Sequence, residues 1–229
     1  MKTLLSTIVG CSIASLTLIT SAQVVSVPGT ANPWLAGQPP GPPDGGGDSA
    51  PAESPVLAGS VIPGGTVTWT ATGLESNGPG YPEVGPDGDL ANLSGFGLID
   101  HYFGAENDIS DVLNVPIDSL MGVFLGPGGP SGPVPTPLDF SVIGLNYTSL
   151  SPTLDQPFYM GDGSTESLMV PAGATSLYLG TMDGFGWNNN PGSFTVDFTE
   201  GVTAPDAGST AAMLGVAFGL IGFARRKTS

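Results

Sequence analysis

Thr66-Val67-Thr68-Trp69-Thr70-Ala71-Thr72 alternates without a break, Val67, Trp69 and Ala71 facing one way and the threonines the other. A period of two over seven residues predicts a strand buried on one face. Pro63-Gly64-Gly65 turns into it and Gly73 ends it. Ser193-Phe194-Thr195-Val196-Asp197-Phe198 repeats the pattern, with Phe194, Val196 and Phe198 predicted inward. Residues 120–125 form a continuous apolar run, as expected of a central strand buried on both faces. Shorter strands are expected at 23–27, 139–143, 157–160, 166–170 and 177–181. Residues 100–118 are mixed. Strands at this spacing, with no helical period between them, predict an all-β fold, an antiparallel β-sandwich.

Composition supports that class and excludes others. The 229 residues include 36 Gly and 23 Pro, which favours many short strands joined by turns over long helices. The four Lys and Arg residues, Lys2, Arg225, Arg226 and Lys227, all lie at the two ends. All 20 acidic residues lie between them, and the net charge is -16. Nucleic acid is excluded as a partner, because binding it needs clustered cations. The single Cys, Cys11, stands near the N-terminus, so the body has no disulfide and no thiol-based metal site.

The ends read as sorting signals. Lys2, an apolar stretch over 4–18 and Thr20-Ser21-Ala22 predict a signal peptide over 1–22, cut ahead of Gln23. Residues 23–58 form a Pro/Gly-rich segment, an extended linker or ordered loop that Trp34 and Leu35 would pin to the core. Residues 59–203 form the sandwich domain. In 204–229, Ala204-Pro205-Asp206-Ala207-Gly208-Ser209-Thr210 leads into an apolar run ending at Arg225-Arg226-Lys227. That run predicts a C-terminal hydrophobic helix at the membrane, shorter than the roughly 20 residues of a comfortable span, with its cations on the cytoplasmic side.

This tail resembles the PEP-CTERM class of bacterial sorting signals, in the variant that reads VPDSG, with Ala204 and Ala207 replacing its Val and Ser. The matching positions are Pro205, Asp206 and Gly208, with Arg225 and Arg226 closing the tail. The resemblance implies an exported envelope protein, an exosortase-like processing enzyme, membrane attachment through the helix before processing, and a setting of exopolysaccharide or biofilm.

One loop concentrates oxygen donors: Asp183-Gly184-Phe185-Gly186-Trp187-Asn188-Asn189-Asn190-Pro191-Gly192. Ca²⁺ takes six to eight oxygens, and a carboxylate, amides and free carbonyls in one loop suit it. An ordinary hairpin loop is equally consistent, since Asn and Gly are common in turns. Trp187 and Phe185 would offer apolar contact to a sugar.

Residues 171–194 and 63–89, with the run at 120–126, resemble the two halves of the PA-IL-like galactose lectins, small calcium-binding β-sandwiches. The resemblance implies Ca²⁺ ligands at Asp183, Asn189, Asn190 and the carbonyls of Gly186 and Asn77. It implies sugar contact at Asp183, Asn189, Asn190 and Trp187. An insertion around 102–118 and the lack of the family's sugar-contacting His and Gln are departures. The expected function is binding of carbohydrate or exopolysaccharide through Ca²⁺. The alternative is a non-catalytic structural surface or biofilm matrix protein with at most a stabilising metal. No enzyme is expected: Asp100-His101 has no nucleophile or metal motif beside it.

Overall fold

The computed structural model describes residues 21–41 and 43–201. The predicted signal sequence up to residue 20, the sorting motif at Pro205, Asp206 and Gly208, the hydrophobic helix and Arg225–Arg226 lie outside the described residues. Among the described residues no helix is long and apolar enough to cross a membrane.

Twelve strands follow in order: β1 (Ser21–Pro28), β2 (Val56–Ser60), β3 (Thr66–Glu75), β4 (Leu98–Ile99), β5 (Val112–Leu113), β6 (Val115–Pro116), β7 (Leu120–Leu125), β8 (Leu138–Asp139), β9 (Pro157–Tyr159), β10 (Leu168–Met169), β11 (Ser176–Thr181) and β12 (Gly192–Gly201). One four-stranded sheet has the order β1-β12-β3-β10 and the other β2-β11-β7-β9. Every pairing within these two sheets is antiparallel. The all-β sandwich expected from the sequence is the fold observed.

The alternation seen in sequence sets the core. Val67, Trp69 and Ala71 on β3, and Phe194, Val196 and Phe198 on β12, are all buried and share one hydrophobic cluster with β7 and β11. All six residues of β7 are buried, as the unbroken apolar run requires. β12 is the longest-paired strand: ten register pairs join it to β3 and eight to β1.

The Pro/Gly-rich N-terminal segment belongs to the same core. Trp34 is fully buried in a short 3₁₀ turn (Pro33–Leu35) capped by the Asn32 side chain. Its indole Nε1 donates to the Ser110 carbonyl at 2.9 Å. The ring stacks on His101 at 3.9 Å and tilts against Trp187 at 5.7 Å. The segment is an ordered loop rather than a linker, pinned where Trp34 and Leu35 predicted. β1 and β2, which begin before residue 59, are strands of opposite sheets.

The strand expected at 139–143 is a correction. Only Leu138–Asp139 is extended; Phe140–Ile143 is one helical turn, α1. Asp139 accepts a hydrogen bond from the Ser141 amide at 2.9 Å and caps the turn, a local device that competes with strand pairing.

Candidate functional site

Three loops meet at one end of the sandwich: the residues after β3, the turn before β7, and the β11–β12 connection. Ser76 N donates to Pro191 O at 3.2 Å, Asp118 N to Met182 O at 2.7 Å, and Met182 N to Ser119 O at 2.9 Å. These main-chain bonds tie the loops to one another, so side chains far apart in sequence share one site.

The site is a pocket of about 190 Å³. Its oxygen-bearing lining includes Asn77, Asp183, Gly186 and Asn189. Four of the five ligand positions expected from sequence therefore line one cavity. Asn190, the fifth, lies just beneath, its Nδ2 donating to Asp183 Oδ2 at 3.0 Å. Asp183 Oδ1 accepts from the Gly184 amide at 2.6 Å. Gly186 adopts the left-handed conformation (φ 80°, ψ 45°) and starts the 3₁₀ turn Trp187–Asn189, which aims Asn189 back at the loop after β3. A Cβ on Gly78 would stand 3.2 Å from Asn189 Oδ1, so the two loops approach closely there. The buried carbonyl oxygens of the Asn77 and Asn190 side chains have no hydrogen-bond partner. Unpaired buried acceptors are costly and call for a donor or a cation.

Burial pushes the Asp183 carboxyl up to about 6, the amide donors around it offsetting only part of the cost. Among the described residues no three His, Cys, Asp or Glu side chains form a metal-holding group. A cation here would need amide and main-chain oxygens to complete its shell, which suits Ca²⁺ rather than a softer ion.

Two exposed aromatic pairs wall the pocket. Tyr81 and Phe96 meet at 5.7 Å, and Tyr102 and Phe185 at 5.5 Å, and all four line it. The bare backbone of Gly184 permits the second pair, since a Cβ there would touch the Tyr102 ring at 2.8 Å. Sequence reading anticipated Phe185 but missed Tyr81, Phe96 and Tyr102, whose positions depend on long loops without periodicity.

Trp187 is a correction. Expected as a sugar contact, it is fully buried, and its Nε1 donates to the Thr181 carbonyl at 2.9 Å. No face of the ring is free for a ligand. Its role is to anchor the loop to the core beside Trp34. Asp48, from the N-terminal segment, reinforces that anchor by accepting from Trp187 N at 3.0 Å and Asn188 N at 3.2 Å. An Asp48→Ala variant strands both amides and is expected to lose ~1–3 kcal/mol. Faster hydrogen exchange at Trp187 and Asn188, with slow exchange kept in β12, is the signature; unchanged exchange at those two amides would contradict the role.

His101 is packed rather than catalytic in setting. It is buried between Trp34 and Phe103, and its Nδ1 lies 2.7 Å from the Gly104 carbonyl. Burial lowers its pKa and keeps it neutral.

Two further carboxylates went unseen in sequence. Glu75 and Asp118 are both fully buried beside the pocket. Glu75 is in phase with Val67, Trp69 and Ala71, and that parity was the available signal. Asp118 sits at φ 66°, a left-handed position that Asp tolerates better than most residues. A larger open groove of about 440 Å³ near Pro133 and Pro135 offers one carboxylate, Asp155, and nothing comparable to this oxygen cluster.

Comparison with known proteins bears on the tail. Residues 205–228 match the VPDSG-CTERM motif. The chain thus carries a PEP-CTERM-type sorting signal and is an exported, envelope-associated protein. No curated protein matches the sequence. Among solved structures, the chain is similar to the EclA N-terminal domain, a PllA-like lectin, at 15% identity, over 80% of this chain and 97% of that one, with a TM-score of 0.33. A likeness that loose assigns no residue and no ligand.

Proposed function

We propose that this exported protein binds carbohydrate, such as a segment of exopolysaccharide, in the pocket that the two aromatic pairs line. The observation that carries the reading is the pairing of an oxygen-lined floor with exposed aromatic walls. Sugars present hydroxyls along their edges and C–H groups on their faces. Concave sites with aromatic walls and a few placed polar groups suit such ligands. Asp183, Asn189 and Asn190, with the carbonyls of Gly186 and Asn77, would hold a Ca²⁺ whose open positions accept sugar hydroxyls. The protein works by binding rather than by catalysis, and an exosortase-like enzyme processes its tail.

Calcium titration followed by differential scanning is the test. Binding to the native state alone raises its stability by about 2.7 kcal/mol at a hundredfold excess over Kd. For a chain of this size that is ~5–10 °C in Tm. Asp183→Ala is expected to cut the shift and abolish retention on polysaccharide. Tyr102→Ala is expected to keep the shift and weaken polysaccharide binding about tenfold. If Asp183→Ala cut the shift while wild-type protein bound no polysaccharide in calcium, the cation would be only a loop stabiliser and the structural matrix reading would stand.

A further inference from the structure

Behind the pocket, the chain buries two carboxyl groups and gives them no cationic partner. Glu75 and Asp118 are each 0% exposed; neither Glu75 oxygen has a hydrogen-bond partner, and Asp118 has only the main-chain amide of Asn77 within reach. They repel one another, and Asp183 repels both. The described residues contain no Lys or Arg. The one His, His101, faces the Glu106 carboxylate at 3.4 Å and is stacked on Trp34. An isolated buried carboxylate is among the costliest groups a fold can contain, and natural proteins pair such groups or give them a metal.

The backbone leaves room there. A Cβ on Gly29 would lie 2.6 Å from Glu75 Oε2, 2.9 Å from the Asn190 carbonyl oxygen and 3.2 Å from the Pro191 carbonyl oxygen. Three oxygens, one from β3 and two from the β11–β12 loop, thus converge against the bare backbone of Gly29. The partnerless Oδ1 of Asn190 belongs to the same buried layer.

We propose that Glu75 and Asp118 hold a second, inner calcium ion, completed by oxygens of Asn190, directly behind the pocket that faces solvent. Two carboxylates neutralise one divalent cation, and an all-oxygen donor set favours Ca²⁺. Asp183, a lining residue of the outer pocket, is within electrostatic reach of both carboxylates. This rests on the reading of the outer pocket as a cation site, yet the two are separable because Asn189 serves only the outer site and Glu75 and Asp118 only the inner one.

The test is calcium content. The full-length chain, purified in mild detergent and stripped on chelating resin, is dialysed against calcium alone and its bound metal counted. Two equivalents per chain are expected. The double variant Glu75→Gln/Asp118→Asn, which preserves shape, is expected to hold one. Asn189→Ala is also expected to hold one, the inner ion. Near-UV circular dichroism confirms that each variant keeps its packed tryptophans. One equivalent in the wild type that survives Glu75→Gln/Asp118→Asn and disappears with Asn189→Ala would overturn the inner site and leave the outer one. One equivalent with the opposite pattern would support the inner site and overturn the outer one. No bound calcium at millimolar concentration would overturn both.

Discussion

Stripped of divalent cations, the protein is expected to lose stability steadily as pH rises from about 4 to about 8, and to regain it when calcium is restored. A carboxyl whose pKa is higher in the folded state holds its proton more tightly there. Its contribution is full below the unfolded value of 3.8 and drains away as pH climbs through the folded value. That value is about 6 for Asp183 and about 8 for Asp118, in both cases chiefly because burial disfavours the charge. Glu75, raised by burial and by Asp118, acts in the same direction. So do Asp48, Glu106, Asp111 and Asp155. Asp118 alone accounts for up to about 5 kcal/mol over this range, against a total of ~5–15 kcal/mol for an ordinary domain. Calcium bound as proposed would replace the protons and flatten the profile. Denaturant midpoints at pH 5 and pH 8, in chelator and in calcium, measure both effects. Equal midpoints in chelator at the two pH values would show that the buried carboxylates are compensated by something within the chain.

Trp34→Ala should be the most damaging single core substitution outside the sheets. The fully buried indole fills the space between the N-terminal segment, His101 and Trp187, and its Nε1–H satisfies Ser110 O. Truncating a buried Trp costs ~3–5 kcal/mol, or ~10 °C for a protein of this size. The site should suffer as well, because Trp187 loses its packing partner and Asp48 its fixed segment. Calcium affinity measured on the folded variant should therefore fall along with Tm. A fall in Tm with calcium affinity unchanged would show that the loop stands on Asp183 and Asn190 alone.

The strands were legible because their chemistry is local. Val67, Trp69 and Ala71 announce one face of β3, and the run at 120–125 announces burial on both faces of β7. The candidate loop could be picked out because Asp183, Gly186, Asn189 and Asn190 lie within eight residues. Asn77 was placed by resemblance, and the fold does bring it to the same pocket. The rest depends on long-range geometry. Trp187 has the composition of a ligand contact, but its position under Trp34 makes it core. Glu75 continues an inward parity past Gly73, whose φ of 115° marks the point where a sequence reader would end the strand. Asp118 becomes buried only when the turn before β7 closes onto Met182. β2 escaped notice because Val56–Ser60 alternates weakly and owes its strand form to pairing with β11.

β12 leaves the pocket at Gly192 and reaches Gly201 nine residues later, shortly before the sorting motif that starts at residue 205. At about 3.3 Å per residue, that single strand separates the pocket from the tail's root by about 30 Å. β1 runs back alongside it, so Ser21 pairs with Glu200 and the end left by the predicted cut lies at the root as well. A molecule held by its tail would stand with both chain ends at its foot and its pocket at the far tip. There the pocket would face away from whatever the tail is attached to.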